Sequence, residues 1–199
     1  MDNLTAQLPV LRKMLRDRGY TVDEGEGAAD VSVPPSLQEL EKNGEVRILA
    51  TASSEGGQCF ALAAVTADGK IGVSAMRKLQ DACREAVLHS IVVLTLGATP
   101  FSRKELSESD ARYTIQFFSP EELLFDVTQN FLVPVHRKVN KSQVSALVAK
   151  FGDLNLWPVL PYDDRIARHY DFRPDDVVEI ERKWGDHREI TYRVVAILN

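Results

Sequence analysis

The run Ile91-Val92-Val93-Leu94-Thr95-Leu96 admits few folds. As an extended strand it offers apolar side chains to both sides, so both faces must be covered, as in sheets with parallel strands flanked by helices. Its surroundings agree. Ahead of it, Ser74–His89 reads as an amphipathic helix, with Met76, Leu79, Cys83 and Val87 near helical spacing. Further upstream, Val46–Ala52 and Phe60–Val65 read as strands separated by the turn Gly56-Gly57, and Asp68-Gly69 signals a hairpin into Ile71-Gly72-Val73. Downstream come the loop Gly97-Ala98-Thr99-Pro100, a short polar helix, and a strand over Tyr113–Phe118. Strands alternating with helices over about 120 residues predict an α/β domain.

The chain enters that domain through a helix. Leu8, Leu11 and Leu15 form its stripe, Pro9 suits its first turn, and Gly19 suits its C-terminal cap. Residues 21–44 are acidic, glycine-rich and proline-bearing, a connection with one short helix at 36–42. Past Phe118, Ser119-Pro120-Glu121-Glu122 has the form of a capping box, while Leu124–Val127 is apolar enough for a strand, and both readings stay open.

The second half has its own grammar. Phe131-Leu132-Val133-Pro134-Val135-His136 is an apolar, strand-like run halted by a proline, which cannot donate to a ladder. Asn140–Gln143 opens a helix whose buried stripe is Val144, Leu147, Val148 and Phe151, ended by Gly152. After Trp157–Pro161 comes a short helix at Arg165–Tyr170. A hairpin then joins Val177–Arg182 to Glu189–Leu198 across Gly185-Asp186. The division predicted is 1–125 and 129–199, the second a small α+β domain.

Charge differs between the halves. Residues 1–125 hold 13 Lys/Arg against 18 Asp/Glu, while residues 126–199 hold 11 of each. An acidic first half argues against independent nucleic-acid binding, since phosphate neutralisation supplies most non-specific affinity. No apolar run approaches the roughly 20 residues of a membrane span, and the start lacks the pattern of a secretory signal. A soluble intracellular protein with no membrane partner is expected.

Chemistry has few carriers. His89, His136, His169 and His187 lack a second His or Cys at i+3 or i+4, and Cys59 and Cys83 lack zinc spacing. No metal, cofactor or catalytic residue is predicted, and both cysteines read as buried small hydrophobes. His136 reads as a hydrogen-bonded structural histidine and His187 as solvated. Asp164 reads as a helix N-cap and Asp175-Asp176 as a turn. No nucleophile elbow or glycine-rich phosphate loop occurs. Arg168 and Arg193 stand alone among apolar and aromatic neighbours in the sequence. Each reads either as a snorkelling surface side chain or as a bidentate contact with a partner or neighbouring carboxylate.

Seven segments in order carry a resemblance: Asp17-Arg18-Gly19-Tyr20-Thr21-Val22, Gly97-Ala98-Thr99-Pro100, Glu122-Leu123-Leu124 with Thr128, Leu132 to His136, Ala167-Arg168, Val177-Val178-Glu179-Ile180, and Ile190-Thr191-Tyr192-Arg193. Together they resemble the fifth subunit shared by nuclear DNA-directed RNA polymerases, a family whose C-terminal part has a counterpart in the archaeal polymerase. Departures fall on loops: Arg165 after Asp164, Asp171 and Asp176 in place of glycines, Lys183–His187 in the hairpin loop, and Phe101-Ser102 after Pro100. A divergent isoform dedicated to one polymerase, or a fast-evolving lineage, would account for them.

The resemblance implies a non-catalytic subunit in the nucleus, or the nucleolus for a polymerase I isoform. It implies a nuclease-like jaw domain without catalytic residues, lying near downstream duplex DNA only within the assembled enzyme. It also implies a C-terminal assembly domain docked on the largest subunit through Pro134, His136, Arg168, Tyr192 and Arg193. The strand Ile190–Val195 is expected at a sheet edge, and Thr99, Pro100, Ser102, Arg103 and Lys104 as the DNA-proximal loop. Other polymerase subunits are expected partners, and no obligate homo-oligomer. The rival reading is a free-standing nuclease-like α/β enzyme or DNA-binding module.

Overall fold

Leu88–Leu94 lies inside a five-stranded sheet, covered on both faces as its composition demands. The computed structural model describes residues 6–22, 33–54, 57–64, 69–85, 88–98 and 113–198. By their internal contacts the residues group into two units, Met1–Phe125 and Asp126–Asn199.

In the first unit, α1 (Gln7–Asp17) leads to β1 (Thr21–Val22), and α2 (Pro35–Lys42) to β2 (Val46–Ser54) and β3 (Gly57–Ala64). Then come β4 (Lys70–Ile71), α3 (Val73–Glu85), β5 (Leu88–Leu94), β6 (Gly97–Ala98) and β7 (Thr114–Phe118). The sheet order is β1-β2-β3-β5-β7, antiparallel as far as β3 and parallel from β3 to β7. Successive strand residues alternate between two cores. Phe60, Leu62, Ile91 and Val93 pack with α2 and α3 through Leu37, Leu40, Met76 and Leu79. Cys59, Ala61, Val92 and Leu94 pack with Leu11, Met14 and Leu15 of α1. Each large apolar side chain so buried contributes about 1.5–3 kcal/mol.

Helix ends obey their glycines. After α1, Gly19 takes φ 88° while its N–H donates to Arg16 O and the Tyr20 N–H to Leu15 O, the paired bonds of a Schellman cap. Gly44 closes α2 in the same way.

Several expectations need correction here. The helix expected to reach His89 ends at Glu85, because residues from Leu88 onward are taken into parallel pairing with β3. Ile71 does not form a hairpin with the preceding strand; β4 pairs parallel with β6 instead. The buried Thr95 hydroxyl ties that small pair together, lying 2.7 Å from both Gly69 O and Gly97 O and accepting from the Gly97 N–H at 3.1 Å. The Ser119/Glu122 capping box forms reciprocally, at 2.8 and 3.3 Å, yet closes a turn and not a helix. Leu123 drops into the core on the α1 side, while Leu124 and Phe125 stay exposed and make no strand. Asp68, Val87 and the polar helix expected after Pro100 lie outside the described residues.

The second unit contains β8 (Val135–Lys138), α4 (Lys141–Phe151), β9 (Val159–Pro161), α5 (Arg165–His169), β10 (Val177–Trp184) and β11 (His187–Ala196). Its sheet order is β8-β10-β11-β9, antiparallel except for the parallel β11–β9 pair. The β10–β11 turn is the two-residue Gly185-Asp186 with φ 58° at the glycine, which suits a type II′ hairpin. On one face, Val178, Ile180 and Val195 pack with Leu160, Ala167 and Phe172 around α5. On the other, Val177 packs with Val139 and Trp157, and Val144, Leu147, Tyr192 and Val194 close around them.

Here too the sequence reading shifts. The apolar run before Pro134 is no strand: Phe131 and Leu132 sit exposed in a turn, and the strand begins after the proline, on the sheet edge where a missing N–H costs nothing. Helix α4 has no fully buried residue. Val144, Leu147 and Val148 are half-buried and Phe151 is exposed. Strand β11 is not a free edge throughout, because Val194–Ala196 pair with β9 while His187–Arg193 pair with β10 alone.

Candidate docking site on the C-terminal sheet

Register decides which candidate residues share a surface. His136 pairs with Ile180, which pairs with Thr191, and Lys138 pairs with Val178, which pairs with Arg193. These residues therefore belong to the α5 face. His136 Nδ1 lies 2.8 Å from Pro134 O, a bond that gives the ring nitrogen the proton and fixes the tautomer. Burial lowers the titration of His136 below the ordinary histidine range. The Pro134 carbonyl and Asp164 oppose that shift, and Arg182 and Arg193 reinforce it. The structural histidine expected from sequence is thus present, with two guanidiniums within electrostatic reach.

Arg193 is half-buried and its Nη1 donates to Val159 O at 3.2 Å. Among the described residues it meets no carboxylate. Arg168 lies on α5, half-buried, with its N–H bonded to Asp164 O. Asp164 caps that short helix by accepting from Ile166 N–H at 2.8 Å and Ala167 N–H at 3.4 Å, as its position predicts.

Tyr192 is placed apart from the other four. Being one residue from Arg193 on a strand, it lies on the α4 face. There its ring packs against Phe151 and Trp157, each with centroids 6.0 Å away. Its hydroxyl donates to Glu179 Oε2 at 3.3 Å, and burial first, then Glu179, raises its titration above the tyrosine norm. The expected set of five residues therefore divides between two faces.

Sequence reasoning missed a charged cluster on the α4 side of the sheet, toward the hairpin. Glu181 is buried and held by three cations. Arg137 Nη1 donates at 2.8 Å, Arg188 approaches in a fork at 2.9 and 3.1 Å, and Lys183 Nζ stands at 3.5 Å. The Arg137 hydrogen bond leads in lowering the Glu181 carboxyl from 4.5 to about 2. The register of the Gly185-Asp186 hairpin was the available signal, since it sets Arg188 and Lys183 across from each other beside Glu181.

The DNA-proximal loop, Thr99, Pro100, Ser102, Arg103 and Lys104, lies outside the described residues. What is described is its entry, Gly97–Ala98, fixed by Thr95. Both cysteines are buried, and burial pushes the Cys83 thiol up to about 12, so neither is a ready nucleophile. Among the described residues no group of three His, Cys, Asp or Glu side chains could hold a metal, and no helix is long and apolar enough to cross a membrane.

A mixed sheet that presents half-buried arginines and an anchored histidine on one face has the make-up of a contact surface. Known proteins give that class a family. Residues 125–195 match the family described as RNA polymerase Rpb5, C-terminal domain. The chain is 30% identical over 194 residues to DNA-directed RNA polymerase V subunit 5C of Arabidopsis thaliana, spanning 92% of this chain and 79% of that protein. It is 26% identical over 195 residues to DNA-directed RNA polymerases I, II, and III subunit RPABC1 of Caenorhabditis elegans, spanning 92% and 91%. To DNA-directed RNA polymerase subunit 5-like protein 1 of Arabidopsis thaliana it is 29% identical over 196 residues, spanning 91% and 90%. The chain belongs to this family of fifth subunits of DNA-directed RNA polymerases, a non-catalytic subunit family.

Proposed function

We propose that this chain is a structural building block of a nuclear DNA-directed RNA polymerase, with the C-terminal unit docked on the largest subunit. The first unit forms part of the lower jaw near downstream DNA, a nuclease-like fold put to a non-catalytic use. One observation carries the reading: polymerase subunits align with 92% of the chain, so the kinship spans both units and not the matched C-terminal family alone. The protein then resides in the nucleus, or in the nucleolus if polymerase I is its host.

Docking falls to the α5 face. Pro134 just ahead of the edge strand, His136 on it, Arg168 on α5 and Arg193 on β11 supply it, while Tyr192 packs on the opposite face. The open part of β11, His187–Arg193, offers unpaired backbone groups to an added strand. In the assembled enzyme Thr99, Pro100, Ser102, Arg103 and Lys104 approach DNA, where Ser102, Arg103 and Lys104 bring donors for phosphate oxygens. The acidic first half gives little support to a free-standing DNA-binding module.

Affinity purification of the tagged chain from its native cells, followed by mass spectrometry, tests the reading. The largest polymerase subunits should co-purify in stoichiometric amounts. Recovery of the chain alone would overturn it.

A further inference from the structure

The two faces of the C-terminal sheet treat their cations differently. On the α4 face, Arg137, Lys183 and Arg188 each meet the Glu181 carboxylate, and Arg137 also lies 3.8 Å from Glu179. On the α5 face, Arg182 makes no side-chain hydrogen bond or ion pair among the described residues, and Arg193 bonds only the Val159 carbonyl. Both are half-buried, and both lie within electrostatic reach of His136 on the neighbouring edge strand. The carboxylates nearby do not answer them. Asp164 is engaged in capping α5, and Glu189, across from Arg182 in the register, forms no ion pair with it. Two half-buried arginines with no carboxylate partner on their own chain leave their guanidinium forks available to an anion supplied from outside.

An apolar anchor stands beside Arg182. Pairing of β8 stops at Val135 and pairing of β9 starts at Val194, so the end of the β10–β11 hairpin is a ribbon of two strands with every residue from Lys183 to Ile190 exposed. Trp184, on the same strand face as Arg182, is 68% exposed. Tryptophan and arginine are the side chains most often found at the energetic centres of interfaces.

We propose that Arg182 and Trp184 extend the docking face onto the hairpin, and that this surface takes an acidic segment of another polymerase subunit. The segment's carboxylates would meet Arg182 and Arg193, with an apolar side chain against Trp184. This rests on the reading of the chain as a polymerase subunit. A protein segment fits better than nucleic acid because the cations without a carboxylate are two, Arg182 next to Trp184 on β10 and Arg193 further along the sheet, and not a stripe following a phosphate backbone.

The test uses the full-length tagged chain in its native cells. Wild type, Arg182→Glu and Trp184→Ala are purified in parallel and the polymerase subunits quantified. Arg182→Lys is treated with a carbodiimide, which joins an amine to a carboxylate with no spacer. Expected are a drop of at least fivefold in subunit recovery for Arg182→Glu and Trp184→Ala, with unchanged thermal unfolding, and cross-links from Lys at 182 to Asp or Glu of another subunit. Wild-type recovery with undiminished recovery for both variants would overturn this proposal and leave the subunit reading standing. Loss of binding to a 30-base-pair DNA duplex, with recovery intact, would assign the surface to nucleic acid and also overturn it. Wild-type chain recovered without polymerase subunits would remove both readings.

Discussion

Glu181 is a carboxylate whose acidity is made by its neighbours. Folding lowers its titration from 4.5 to about 2, so its contribution to stability is complete above pH 4.5 and is lost as pH falls toward 2. His136 acts in the same sense at milder acidity. Its lowered titration favours the neutral ring, so protonation below the ordinary histidine range costs stability. The only two tryptophans, Trp157 and Trp184, both lie in the C-terminal unit, so fluorescence reports its unfolding selectively. Urea titrations followed in this way should show Glu181→Gln less stable than wild type at pH 7 and flatter between pH 4.5 and 2. Equal slopes in the two proteins would refute the role given to Glu181. Arg193 calls for a different measurement. Its bond to a backbone carbonyl is worth about 1 kcal/mol to the fold, whereas truncation against a desolvated partner carboxylate costs on the order of 2–5 kcal/mol of binding. Arg193→Ala should therefore assemble poorly into polymerase while its melting temperature falls little. Normal assembly, or outright unfolding, would show that Arg193 is no interface residue.

At the scale of elements, the stops of α1, α2 and α4 are set by single glycines, while Asp171 at φ 55° stands in that place after α5. Gly152 ends α4 at φ 88°, and a Cβ added there would meet nothing within 4 Å, so the cost of Gly152→Ala is backbone strain alone. With ψ at −169° this is a region held almost by glycine alone, and the strain is about 1–3 kcal/mol, measurable as a lower urea midpoint in tryptophan fluorescence; an unshifted midpoint would show that the helix end relaxes. Leu79 on α3 is a contrasting case, fully buried between α2 and the sheet. Leu79→Ala should cost about 2–5 kcal/mol through lost burial and a cavity, read by urea unfolding followed by circular dichroism. The elements legible beforehand were those with local punctuation: α1 with Gly19, the Gly185-Asp186 hairpin, and α5 with its Asp164 cap. Those misread, such as the end of α3 and the pairing of β4, depend on strands distant in sequence.

For the whole molecule, each unit has cores on both faces of its own sheet. A fragment covering 129–199 should accordingly fold alone, with a cooperative urea transition and a protease-resistant core. A fragment that stays unfolded while the full chain folds would count against two independent domains. The intact protein carries a formal charge of −5, and its first half accounts for the excess. Isolated, it should bind duplex DNA weakly at about 150 mM salt, since few phosphates could be neutralised. A submicromolar dissociation constant under those conditions would contradict this.

Sequence by itself determined the α/β character of the first unit, because an uninterrupted apolar strand between amphipathic segments has no stable alternative to burial on both faces. It also determined the hairpin, the helix stops and the family, each written in residues close together or in motifs that keep their order. Tertiary structure alone decided which side chains face together. Tyr192 and Arg193 are adjacent in the chain yet lie on opposite faces, and Arg182 joins His136 only because β10 lies between β8 and β11. A one-residue change of register would exchange the two faces. Register is set by pairing between distant strands, which no local stretch of the sequence carries.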